Sequence, residues 1–108
     1  MQKFKAIFGD KKPVIAMVQF GARPGAPLYD AEAGIEGLIA GCRKDLHALQ
    51  AAGVDAVMFG NENDRPYELN VDTASTATMA YVIGRLRDEI TVPFGVNVLW
   101  DPKASLAL

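Results

Sequence analysis

Three short apolar runs, spaced about 40 residues apart, constrain this chain more than any other feature. They are PVIAMVQF at 13–20, VDAVMF at 54–59 and PFGVNVLW at 93–100. Each is of strand length, rich in Val and Phe, and led by Pro13, Gly53 or Pro93. Near-continuous apolarity without in/out alternation means that both faces of each strand are covered, the mark of a parallel sheet under helices. Strands are therefore expected near 13–20, 54–60 and 93–99.

Between the runs the period lengthens to that of a helix. In 31–52, Ile35, Leu38, Ile39, Cys42, Leu46 and Leu49 recur at three- and four-residue steps. Asp30 is the expected N-cap and Gly53 the expected stop. In 73–90 the stripe is Met79, Val82, Ile83, Leu86 and Ile90, with Asp72 or Thr73 as cap. Residues 102–108 begin a further helix, with Pro102 at its first position. A short amphipathic turn at 3–8, carrying Phe4, Ile7 and Phe8, precedes everything and is stopped by Gly9. The order (α)-β-α-β-α-β-(α), joined by right-handed crossovers, is an α/β fold with parallel strands. Three strands and two full helices make an uncomfortable domain, so residues 1–108 read as the first three units of a larger one.

Composition removes several classes of function. The chain has 108 residues, 50% of them hydrophobic, and a formal net charge of -2. No lysine or arginine cluster is dense enough to point to nucleic acid or anionic lipid. With one cysteine, Cys42, and one histidine, His47, neither an internal disulfide nor a Cys/His zinc site is expected. No apolar run reaches the roughly 20 residues of a membrane span, and the charged N-terminus lacks a secretory apolar core. A cytoplasmic location is expected. No phosphate-binding glycine motif or catalytic triad pattern is present, and the residues name neither a cofactor nor a metal.

In parallel α/β folds, chemistry gathers where strands end and the following loops begin. Polar residues crowd those three places here. Asn97 stands inside an apolar strand, where a buried amide facing a helix would lack partners. It is therefore placed on the concave side with Gly95 and Leu99; the bland alternative is a satisfied core asparagine. Asn61, Glu62, Asn63 and Asp64 form an oxygen-rich cluster in which Glu62 is the candidate general base, or a ligand for sugar hydroxyls or a hard cation such as magnesium, and Asn61 a ligand contact. A polar turn explains the same cluster equally well. Gln19 ends strand one with a donor and an acceptor, suited to holding a substrate and not to moving its protons. Arg23, in RPGAP, offers charge to a phosphate or carboxylate, or is a solvated loop arginine. Asp101 binds substrate or only caps the helix at Pro102. Cys42 is read as a small core hydrophobe and His47 as a helix-surface residue.

Taken together, MVQFGARPGAPLYD, DLHALQAAGVDAVMFGNENDRPY and TMAYVIGRLRDEITVPFGVNVLWDPKASLAL resemble the opening part of the BtpA/SgcQ family over essentially the whole chain. The specific pieces are M-V-x-x followed by P-G-x-P, the A-G-V-D-A lead into strand two, its N-E end, and P-F-G-V-N-V-L-W-D. The resemblance implies a TIM (β/α)8 barrel of the ribulose-phosphate-binding class. Full members run well over twice this length, so residues 1–108 would be a partial barrel of about three βα units. Ile15, Met17, Val57 and Leu99 are then expected to face its lumen. Gln19 stands where family members usually carry histidine, which weakens any acid–base role for strand one. The usual phosphate site of such barrels, after strands seven and eight, would lie outside this chain.

The resulting expectation is a barrel enzyme acting on a sugar-phosphate-like or polyhydroxylated small metabolite. Catalysis would rest on Glu62, and substrate binding on Gln19, Arg23, Asn61, Asn97 and Asp101. The alternative, implied by the resemblance alone, is a non-catalytic biogenesis factor for a membrane complex of the photosystem I type, associated peripherally with the membrane. A second alternative is an inactive truncated fragment. The expected partners are a small-molecule ligand and further copies of the same chain.

Overall fold

The computed structural model describes residues 2–21, 28–61, 73–98 and 101–108. In chain order they form α1 (Gln2–Phe8), β1 (Ile15–Gln19), α2 (Gly34–Ala51), β2 (Ala56–Gly60), α3 (Thr73–Leu86), β3 (Phe94–Asn97) and α4 (Pro102–Ala107). A 3-10 turn at Arg87–Glu89 ends α3. The three strands are parallel, in the order β1-β2-β3.

Some boundaries differ from the expected ones, for local reasons. Asp30 caps a turn and not the helix: its Oδ1 accepts from the amides of Glu32 and Ala33 at 3.1 and 3.2 Å. Gly34 then adopts φ +64°, a left-handed step that separates this turn from α2. At the other end Gly53, at φ +85°, stops the helix as expected, donating to the Gln50 carbonyl at 3.1 Å. Of the two cap candidates for α3, Thr73 is its first residue, and Asp72 lies outside the described residues. Leu99 and Trp100 also lie outside them.

Register decides which side chains share a face. Ile15, Met17 and Gln19 align with Ala56, Met58 and Gly60, and Gly95 and Asn97 align with Met58 and Gly60. In a parallel sheet aligned residues point the same way, and alternate residues point opposite ways. That face is open: Ile15 is 45% and Met17 39% exposed. The opposite face carries Val18, Val57, Phe59, Phe94 and Val96, and packs against α2 and α3. The lumen-side expectation for Val57 is therefore corrected. Val57 aligns with Phe94 under the helices and is 1% exposed.

The helices meet this face with the stripes their periodicity announced. Leu38, Ile39, Cys42 and Leu46 of α2 and Met79, Val82, Ile83 and Leu86 of α3 are buried. Phe59, on the central strand, stacks edge-on with Phe20 and Phe94, both ring centroids 6.0 Å away. Burial, with a smaller push from Asp45, raises the Cys42 thiol to about 12. The thiolate is the reactive form, so folded protein at pH 8 should label with thiol reagents far more slowly than unfolded protein. Equal rates would show that α2 is turned the other way or that the chain is not folded.

Polar ties lace the outer surface. Glu89 accepts from Arg43 Nε at 3.0 Å and lies 2.8 Å from His47 Nε2. The Arg43 hydrogen bond holds its carboxyl below the usual range. Arg85 does the same for Glu36 at 2.9 Å, joining α3 to α2. Gln50 donates to the Glu89 carbonyl at 3.0 Å and accepts from the Thr91 amide at 2.7 Å. Asp55 is held low first by Lys11 and then by the Val14 amide, which donates to Oδ2 at 2.8 Å. These last groups sit where the strands begin, remote from the ends that carry the amides.

Candidate functional site

The carboxyl ends of the strands bring together Gln19, Gly60 with Asn61, and Asn97. Gln19, Gly60 and Asn97 are aligned in one row across the sheet, on the open face. Strands lie about 4.8 Å apart, so the outer two members of the row stand about 10 Å from each other with a bare glycine between them. Phe20 fixes the row by donating its amide to the Gly60 carbonyl at 2.9 Å.

Gln19 is the member whose chemistry is unfinished. Its Oε1 is buried and has no hydrogen-bond partner among the described residues. A buried polar atom left in this state costs on the order of 1–3 kcal/mol, a cost that an incoming proton donor would relieve. Asn61, one residue past β2, is 3% exposed. Asn97 is half-buried at the end of β3. These three side chains are neutral carboxamides, each offering both a donor and an acceptor. That combination matches hydroxyl groups, which also donate and accept.

Asp101 is buried, and its Oδ1 accepts from the Ala104 amide at 3.0 Å as the N-cap of α4. Capping is thus its observed work. Ser105, which the sequence did not single out, completes the corner. Its Oγ accepts from the Val98 amide at 2.8 Å and donates to the Asp101 carbonyl at 3.1 Å. The end of β3 is thereby pinned to α4. Glu62 and Arg23, the expected base and the expected charge, lie outside the described residues.

The profile of the BtpA family matches residues 10–108. The chain belongs to the BtpA family. Among its BtpA-family relatives, the sgc region protein SgcQ of Escherichia coli is 50% identical over 108 residues, which is all of this chain and 40% of SgcQ. An uncharacterized protein of Thermococcus kodakarensis is 38% identical over 83% of the chain and 34% of its own length. The photosystem I biogenesis protein BtpA of Synechocystis is 29% identical over 94% of the chain and 35% of its own length. This BtpA-family chain thus spans between about a third and two fifths of these relatives. No solved structure matches it.

Proposed function

We propose that this BtpA-family chain forms the first βα units of a TIM barrel that binds and transforms a polyhydroxylated or sugar-phosphate-like small metabolite at the carboxyl end of its sheet. The observation that carries the reading is the unpartnered Gln19 Oε1, set in one row with Gly60 and Asn97 on the open face. Gln19 and Asn97 orient hydroxyl groups from either side, and Asn61 adds a third amide. Glu62, following Asn61 directly, is assigned the proton transfer, and Arg23 the charged end of the metabolite. Asp101 lines the site from the start of α4.

A thermal-shift panel of sugars, alditols and sugar phosphates, run on this chain and on SgcQ, tests the reading. A ligand present at a hundredfold excess over its Kd stabilises by about 2.7 kcal/mol. Each kcal/mol moves the Tm of a domain this size by about 4–8 °C. The expected result is such a shift in wild type, lost in Gln19→Ala, and retained in Glu62→Gln with turnover abolished. A panel in which nothing shifts either protein removes the reading.

One observation favours a second reading, that of a membrane-complex biogenesis factor. Helix α1 carries Phe4 and Phe8, with ring centroids 4.9 Å apart, beside Ile7 at 57% exposure and the flanking lysines Lys3 and Lys5. An amphipathic turn of this kind suits an interfacial surface, and no helix among the described residues is long and apolar enough to cross a membrane. A chain that stays in the supernatant with anionic vesicles removes this reading.

A further inference from the structure

Gly60 bears no chemical group, yet it occupies the middle of the amide row. A Cβ built there would stand 3.2 Å from Met17 Cε, 3.6 Å from Gln19 Oε1 and 3.8 Å from the Asn97 carbonyl oxygen. Two side chains of β1 therefore lean over the bare backbone of β2, and the unpartnered oxygen of Gln19 is aimed into that space. The close neighbour is the far end of a flexible methionine. Fold alone would thus tolerate alanine at this position, with a few tenths of an ångström of adjustment.

We propose that Gly60 is the specificity-determining floor of the site. A hydroxyl of a neutral polyhydroxylated ligand displaces the flexible end of Met17 from above its Cα and donates to the buried Gln19 Oε1, while the ligand's width is limited by the roughly 10 Å between the Gln19 and Asn97 positions. The inference rests on the reading of these strand ends as a metabolite site, and adds which residue sets the shape and which ligand group enters. A methyl at position 60 would occupy the hydroxyl's place and shield Oε1. Ligands whose entering group lacks a proton to donate bind more weakly, because the buried oxygen, already unpaired in the free protein, gains no partner from them.

The test is isothermal titration of wild type, Gly60→Ala, Gln19→Ala and Gly84→Ala with free pentoses, hexoses and their alditols. Gly84 lies on α3 with nothing within 4 Å of a Cβ placed there, so it controls for a glycine substitution remote from the site. A probe that binds wild type should bind Gly60→Ala and Gln19→Ala at least tenfold more weakly. Gly84→Ala should bind it as wild type does, and the ligand-free melting temperature of Gly60→Ala should stay within a few degrees of wild type. The ε-methyl NMR resonance of Met17 gives a second reading on unmutated protein, and should move on addition of the same probe. If Gln19→Ala loses binding but Gly60→Ala keeps it, or if Met17 is undisturbed by a bound probe, the floor assignment is overturned while the site survives. If wild type binds none of these neutral probes while a sugar phosphate shifts its melting temperature, the floor assignment falls and the site survives; if neither class binds, the site and its floor fall together.

Discussion

Phe59→Ala should cost about 3–5 kcal/mol, the range for deleting a fully buried aromatic ring. A complete domain keeps only about 5–15 kcal/mol, so this one substitution is expected to remove a large share of the chain's stability. Phe59 is fully buried on the central strand, with Phe20 on one side and Phe94 on the other. Its removal leaves a cavity where three strands meet two helices, and neither flanking ring can close it without leaving its own strand. Phe59→Leu, which keeps most of the volume, should cost markedly less. Urea unfolding followed by circular dichroism checks both. A midpoint for Phe59→Ala close to that of wild type would mean that the aromatic row is not the core.

The second large effect concerns association. β1 and β3 are the outer strands of the sheet among the described residues, so each presents one unpaired backbone edge. Ile15 and Met17 add exposed apolar surface on the open face at 45% and 39%. The 108-residue chain on its own is expected to elute well above its 11.6 kDa mass in size exclusion with light scattering. Ile15→Lys with Met17→Lys should shift it towards the monomer, because both side chains are exposed and burial loses little. A sharp, monodisperse 11.6 kDa peak with cooperative unfolding for the unmodified chain would show that this face is self-sufficient.

Which parts of this were legible in the sequence follows from the range of the interactions involved. The α2 and α3 stripes could be read because helical periodicity is local: Leu38, Ile39, Cys42 and Leu46 declare a face by spacing alone. Asn97 could be read because a single amide in an apolar strand has few tolerable orientations. Val57 could not, since in VDAVMF both alternating sets are apolar and only its alignment with Phe94 assigns it to the helix side. The start of α2 is less legible, because Asp30 has the chemistry of a cap and nothing nearby reports that Gly34 turns left-handed after it. Gly60 was invisible for a different reason. Its meaning lies in what Gln19 and Met17 do above it, from a strand 41 positions away in the chain.

That separation recurs. Lys11 reaches Asp55 across 44 residues, Gln50 reaches Glu89 across 39, Arg43 reaches Glu89 across 46, and Arg85 reaches Glu36 across 49. Among the described residues these ties between units therefore share one characteristic reach, and none of them skips over a neighbour. For a ribosome delivering the chain from its N-terminus, this means that β2 and β3 each emerge with a partner strand already made. β2 can dock on β1 before β3 exists, and Gln50 waits on a finished α2 for the turn that Glu89 and Thr91 will form. Damage obeys the same rule. A misfolded unit is felt directly by the unit on either side, and only through them by the rest, as in an array of repeats.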